Sequence, residues 1–265
     1  MSEPQMIVAN TTFSINLDLR NSEVSFGSNI QFRRNAQKKA GAMKDLFYTH
    51  QFDPDEIMYD FFIGVADQDH VEVIAQSGLR YDIILVKPGF VGKEYKKTSG
   101  HKHVGMYPEI YEVLHGKAMF LLQKGDGHDV EYFAAVEATE GEKILIPPGY
   151  NHATVNVGDG PLLFSDLVAD DCGNHYDDVK HNRGMCYYVL ADDGDVSFAK
   201  NPNYNTVPEA RVIKPVSMPE LGLRFQEPVY DVLIESPRIY EYLTDPNGNL
   251  DKINYLAQRI EKGGN

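Results

Sequence analysis

Cysteine is nearly absent: Cys172 and Cys186 are the only two in 265 residues, and they form neither a CxxC pair nor part of a spaced quartet. A disulfide framework and a thiolate metal site are therefore excluded, and two reduced thiols are expected. Long apolar runs are missing as well. None approaches the ~20 residues that span a bilayer, and the opening MSEPQMIVANTTF has no basic stretch followed by an apolar one. A soluble, cytoplasmic protein is the expectation. Positive charge is in deficit, with 25 Lys and Arg against 39 Asp and Glu, a formal net charge of -14. Such a chain repels a phosphate backbone, which argues against nucleic acid as a partner.

What is present suits one globular domain: 42% hydrophobic and 24% charged residues lie near the norm for folded chains. Sixteen Tyr and 13 Phe, punctuated by 22 Gly and 14 Pro, favour short strands over long helices. Strand-like runs read as 58–65, 79–86, 111–114, 119–122, 130–134, 143–146, 152–157, 162–168 and 186–190, separated by turn signals such as Lys87-Pro88-Gly89 and Pro147-Pro148-Gly149. Regular short strands of this kind predict an all-β sandwich or closed barrel. The core is expected over about 56–192, with an N-terminal extension (1–55) and a C-terminal arm (193–265). Residues 31–47 have few β-branched side chains and are expected to form a helix against the barrel. Residues 250–262 place Leu250, Ile253, Leu256 and Ile260 at near-helical spacing behind Asn249 as cap. Between 201 and 237 stand six prolines, which predict an extended wrapping segment.

The segment TSGHKHVGMYPEIYEVLHG (98–116), followed by PPGYNHATVN (147–156), carries the chemistry. Residues two apart on a strand share a face, so His101 and His103 point one way and Lys102 the other. Glu109 opens a second run, with Tyr111 on its face, and His152 follows a tight turn that can bring it into the same cavity. Three imidazoles and a carboxylate on rigid strands can hold a divalent first-row metal with positions left open. An isolated HxH is more often packing or surface histidine; it is the combination with Glu and PPGxxH that points to a metal. Asn156 shares the face of His152 and is expected to support it.

GHKHVGMYPEIYEVLHG and GEKILIPPGYNHATVN resemble the two cupin motifs. More narrowly, KTSGHKH, PEIYEVLHGKAMFLLQ and PPGYNHATVNVGDGPLLFSDL resemble the cupin-type glucose-6-phosphate isomerases, over roughly residues 79–176. The resemblance implies a jelly-roll barrel, conversion of glucose 6-phosphate to fructose 6-phosphate, and a homodimer. It implies His101, His103, Glu109 and His152 as ligands of one divalent metal, with Fe2+ favoured and Mn2+, Ni2+, Co2+ or Zn2+ also suited to the set. Thr98 and Gly100 match the segment that holds the sugar phosphate, Tyr59 a tyrosine that contacts the phosphate, and Tyr111 an active-site tyrosine two residues beyond the metal-binding glutamate. Glu109, the carboxylate that the motif sets next to the metal, is assigned the double role of ligand and proton shuttle, and a hydride shift that needs no base stays open beside it. The sequence departs from the family pattern at Ile84, Val168 and Gly173-Asn174-His175-Tyr176, which bears on substrate choice.

Five lysines (87, 93, 96, 97 and 102) against one acid, Glu94, give residues 87–103 a local +4, and a basic rim that steers a phosphorylated sugar is expected there. Two other readings compete. A cupin dioxygenase would use Fe(II) in an apolar pocket, and a non-catalytic cupin would bind metal and sugar phosphate without turnover.

Overall fold

In the computed structural model of the chain, the described residues are 6–8 and 13–261. The fold is all-β, two sheets facing each other with peripheral arms. Ten strands build it: β1 Arg34–Lys39, β2 Ile57–Ile63, β3 Leu79–Val86, β4 Glu109–His115, β5 Lys117–Asp126, β6 Asp129–Thr139, β7 Lys143–Ile146, β8 Asn151–Asn156, β9 Leu162–Ala169 and β10 Val212–Ile213. The first sheet has six strands in the order β7-β4-β9-β3-β2-β1, the second four in the order β8-β5-β6-β10. Every pairing is antiparallel except the short β6–β10 ladder.

Alternation along the strands of the first sheet separates two environments. Ile84, Tyr111, Val113 and Phe164 face the second sheet and pack with Phe120, Leu122 and Val136. Tyr81, Ile83, Leu85, Ile110, Leu163 and Leu167 face the other way. That outer face is covered by strand Ile15–Asp18, through Ile15 and Leu17, and by the C-terminal helix Val229–Glu235, through Tyr230 and Leu233. Both faces are thus buried, which is why β9 reads as an unbroken run of buried residues. The outer face of the second sheet packs Met119, Leu121, Phe133 and Val155 against Met43, Phe47 and the hairpin strand Tyr187–Asp192.

Three expectations are corrected. Residues 31–47 do not form an α-helix. They contribute β1 and the 3-10 turn Ala40–Met43. β1 is an edge strand, and its exposed side chains need no β-branched packing face. The proline-rich 201–237 segment is extended only in its first part. Pro219 and Pro237 each sit in the first turn of a 3-10 helix, and Pro228 immediately precedes the helix Val229–Glu235, positions where a missing N–H costs nothing. The terminal helix spans Leu250–Glu261, and residue 262 lies outside the described residues, as does most of the opening stretch. Asn249 begins that helix with its carbonyl, which accepts from Ile253 N, while its side chain donates to the Asp245 carbonyl instead of capping. Among the described residues no helix is long and apolar enough to cross a membrane.

Candidate metal centre

Backbone pairing assembles the site. Residues 96–101 run beside β8: Asn156 N donates to Lys96 O, Thr98 N to Thr154 O, and His101 and His152 exchange both backbone bonds, at 3.1 and 2.8 Å. Gly100 makes this approach possible. Its φ is +78°, and a Cβ there would meet Ala153 Cβ at 3.3 Å and the His152 carbonyl at 3.4 Å. The short strand Lys102–His103 then pairs with Asn174–His175. β4 brings Glu109 in opposite Ile146, just before the turn that leads to His152.

The outcome is a cluster of His101, His103, Glu109 and His152 with one ligand atom from each lying within 4.8 Å of the others. His103 Nε2 and His152 Nε2 stand 3.4 and 3.2 Å from Glu109 Oε2. Each of these two histidines faces a backbone carbonyl through Nδ1, His103 that of Tyr107 at 2.9 Å and His152 that of Tyr150 at 3.1 Å. A carbonyl only accepts, so Nδ1 carries a hydrogen and Nε2 is the nitrogen turned to the cluster, its lone pair open to a cation once any second proton has left. Glu109 Oε2 and His152 Nε2 are fully buried without a hydrogen-bond partner. Orphaned donor atoms converging on one point are what a bound cation satisfies, so the residues present fit one. Asn156 is not the support for His152: its amide donates to the Val86, Lys87 and Gly160 carbonyls and so braces the neighbouring turn.

The electrostatics follow from three imidazoles around one carboxylate. Burial, with His152 beside it, holds His101 well below the ordinary histidine range. Burial opposes charge on His103 too, but the adjoining Glu109 overrides it and pushes the imidazole up to about 11. Glu109 is held well below the carboxylate range because His103 and His152 outweigh its burial.

A cavity of about 490 Å³ opens on the cluster and is lined by Tyr59, Thr98, Gly100 and Tyr111 among others. The structure therefore brings all eight sequence-selected residues to one place, seven lining the cavity and His152, 1% exposed, behind them in the cluster. Burial pushes the Tyr59 hydroxyl up to about 12, so it keeps its proton, and it lies 3.3 Å from Ser99 Oγ. Tyr111 is also raised, by burial and then by Glu109. A larger depression of about 680 Å³ lies elsewhere, by Asp55, Glu56 and Asp60. Those acids are already paired with Lys39, Lys96 and Lys87.

The lysine rim is corrected. Lys87 pairs with Asp60, Lys96 with Glu56, Lys97 with Glu94 and Lys102 with Asp178, and none of the five lines the cavity. Three of the neutralising acids come from outside the 87–103 window, so local charge counting misses them. The cations that do line the cavity are Arg34 and Lys38 on β1 and Arg80 on β3. Lys38 is half-buried and its ammonium is lowered by burial and by nearby Lys180. Two acids, Asp82 and Asp166, also went unnoticed in the sequence. Period-two spacing from Ile84 marks Arg80 and Asp82, and from Phe164 it marks Asp166, as residues of the same inner face. Burial raises Asp82 to about 6 although Arg80 opposes it. Burial and then Asp82 hold Asp166 well above the usual carboxylate range.

The sequence profile of the family described as glucose-6-phosphate isomerase matches residues 34–207. The chain is similar to the glucose-6-phosphate isomerase of Pyrococcus furiosus, 30% identical over 57% of this chain and 74% of that one. The Thermococcus kodakarensis enzyme of the same name is 28% identical over 72% of this chain and 95% of its own length. Among solved structures, oxalate decarboxylase from Bacillus subtilis overlaps 43% of this chain and 26% of its own, with 24% identity and a TM-score of 0.31. The profile spans the greater part of the sequence and contains every residue of the cluster and cavity described above: the chain belongs to the glucose-6-phosphate isomerase family.

Proposed function

We infer that the protein is a metal-dependent aldose-ketose isomerase that interconverts glucose 6-phosphate and fructose 6-phosphate. The observation that carries the reading is the convergence of four donor atoms within 4.8 Å at the wall of a cavity that also presents hydroxyl and cationic side chains. His101, His103, Glu109 and His152 would hold the ion. Once bound, a divalent cation supplies Lewis acidity against the negative charge that grows on the sugar O1 and O2 as a proton leaves C2.

The chain's own residues do the rest. Thr98, Gly100 and Tyr59 bind the phosphate, and Lys38 and Arg34 at the cavity edge add the positive charge that a dianion requires. Tyr111 remains protonated and donates to a sugar oxygen or to Glu109. Glu109 carries the proton between C2 and C1. Isomerisation in D2O tests that last role: Glu109 transfer puts solvent deuterium at the sugar carbon, and complete retention of the substrate hydrogen would replace it with a hydride shift.

The family resemblance further supports Fe2+ as the ion, a cytoplasmic enzyme and a homodimer, and we propose all three. A dioxygenase would want an apolar pocket, and the charged lining of Arg34, Arg80, Asp82 and Asp166 counts against it. The decisive experiment supplies fructose 6-phosphate to the metal-loaded protein and follows NADPH through glucose-6-phosphate dehydrogenase. Formation of NADPH that EDTA abolishes is expected. A rate no higher than the EDTA control would overturn the isomerase reading, and tight sugar-phosphate binding without turnover would replace it with a binding protein.

A further inference from the structure

One group in the cavity is not used by the mechanism above. Asp166 on β9 stands opposite Tyr111 on one side and opposite Asp82 on the other. Only 8% of Asp166 is exposed, yet it lines the cavity together with Glu109 and Tyr111. Its Oδ1 is fully buried and has no hydrogen-bond partner. Setting aside the donor atoms of Glu109 and His152, it is the one such atom among the described residues that line this cavity. Arg80, the nearest cation on the inner face, is committed elsewhere: its Nε donates to both oxygens of Asp82, at 3.1 and 2.9 Å. Asp82 in turn accepts the Gly64 amide at 2.8 Å. Asp82 and Arg80 are therefore fixed, and they wall Asp166 in without satisfying it. Nor does Asp166 belong to the metal cluster, which takes one atom each from the three histidines and Glu109.

Buried polar atoms are almost always paired, and an orphan at the wall of a binding cavity marks the place where a ligand supplies the partner. A hexose phosphate whose O1 and O2 face the cation and whose phosphate is held by Tyr59 and Thr98 still has hydroxyls on the carbons between. We propose that Asp166, buttressed by Asp82 and Arg80, hydrogen-bonds a hydroxyl of the sugar's middle carbons and so sets the enzyme's preference for a polyhydroxylated chain. The proposal rests on the isomerase reading for the kind of substrate. Binding groups aimed at a substrate hydroxyl reject ligands that lack it, because the buried partner is then left unpaired.

The test uses full-length, metal-loaded wild type, Asp166→Ala and Asp166→Asn, with metal content measured for each. Two competitive ligands are compared, sorbitol 6-phosphate and inorganic phosphate, which shares the phosphate but has no carbon hydroxyls. For Asp166→Ala, sorbitol 6-phosphate binding should weaken and fructose 6-phosphate KM should rise, each roughly 10- to 100-fold, with phosphate binding and metal content unchanged. Asp166→Asn, which keeps hydrogen-bonding capacity, should restore most of the loss. Equal weakening of both ligands, or no weakening of either, overturns the proposal. A wild type that fails to isomerise would sink the isomerase reading by itself, and the binding of the two ligands, measured by calorimetry without turnover, would still decide the role of Asp166.

Discussion

Replacing Glu112 or Lys143 should expose how tightly the C-terminal arm is tied to the barrel. Lys143 is 0% and Glu112 1% exposed, their charged atoms are 2.9 Å apart, and Lys143 also donates to the Gly141 carbonyl at 3.0 Å. The second Glu112 oxygen accepts the amide of Val229 at 2.8 Å, at the start of a helix that Pro228 leaves without a side-chain cap. Glu112→Leu would strand a buried ammonium and a helix amide together, and losses of about 3–5 kcal/mol are typical when one member of a buried pair is removed. Lys143→Met should cost less. Burial already raises the Glu112 carboxyl and Lys143 is what restrains it, so without the lysine the acid takes up a proton instead of bearing a naked charge. The double variant should recover the part of the deficit that comes from the stranded ammonium, because two apolar side chains leave no buried charge, while the Val229 amide stays without its acceptor. Denaturant unfolding followed by far-UV circular dichroism measures all four corners of the cycle, and the absence of tryptophan makes that the convenient signal. If the double variant is as unstable as the sum of the two single ones, the pair is not coupled and the reasoning is refuted.

Three further outcomes are expected. His152→Ala should lose most of the bound metal by elemental analysis, whereas Lys102→Ala, whose ammonium pairs with Asp178, should retain it; equal retention would mean that His152 is not a ligand. Asp82 should make stability fall as pH rises. Its folded value of about 6 lies above the ordinary 3.8, so the folded state holds the extra proton between these values, and the contribution, up to about 3 kcal/mol, is present below pH 4 and lost by about pH 6. Asp82→Asn should flatten that part of the pH–stability curve, and parallel curves would contradict it. Gly100→Ala should reduce sugar-phosphate affinity and stability together, by about 1 kcal/mol or more for the forced positive φ; a variant indistinguishable in KM and melting temperature would show that the tight approach to β8 is dispensable.

The cluster was legible because its parts obey short rules. HxH is a one-face pair on any extended segment, and PPGxxH sets a turn before a strand, so the spacing suggested a shared site and the family resemblance named its four side chains. The lysine rim failed for the converse reason: Glu56, Asp60 and Asp178, which neutralise Lys96, Lys87 and Lys102, are neighbours only after folding. β1 was misread because an exposed edge strand carrying Arg34, Lys38 and Lys39 has the composition of a polar helix. Asp82 and Asp166 sit inside strands so apolar on their other face that they read as interruptions, and only the register that sets them side by side gives them a role.

The back of the six-stranded sheet is already spoken for. Ile15 and Leu17 before the family-matched span, and Tyr230, Leu233, Tyr242 and Leu243 after it, coat that wall, so the chain upholsters itself with its own two ends. Any second copy must therefore take hold somewhere else on the molecule. A fragment trimmed to residues 34–207 would keep the whole cluster and yet bare a greasy flank, and clumping, not a lost cation, would be its first defect.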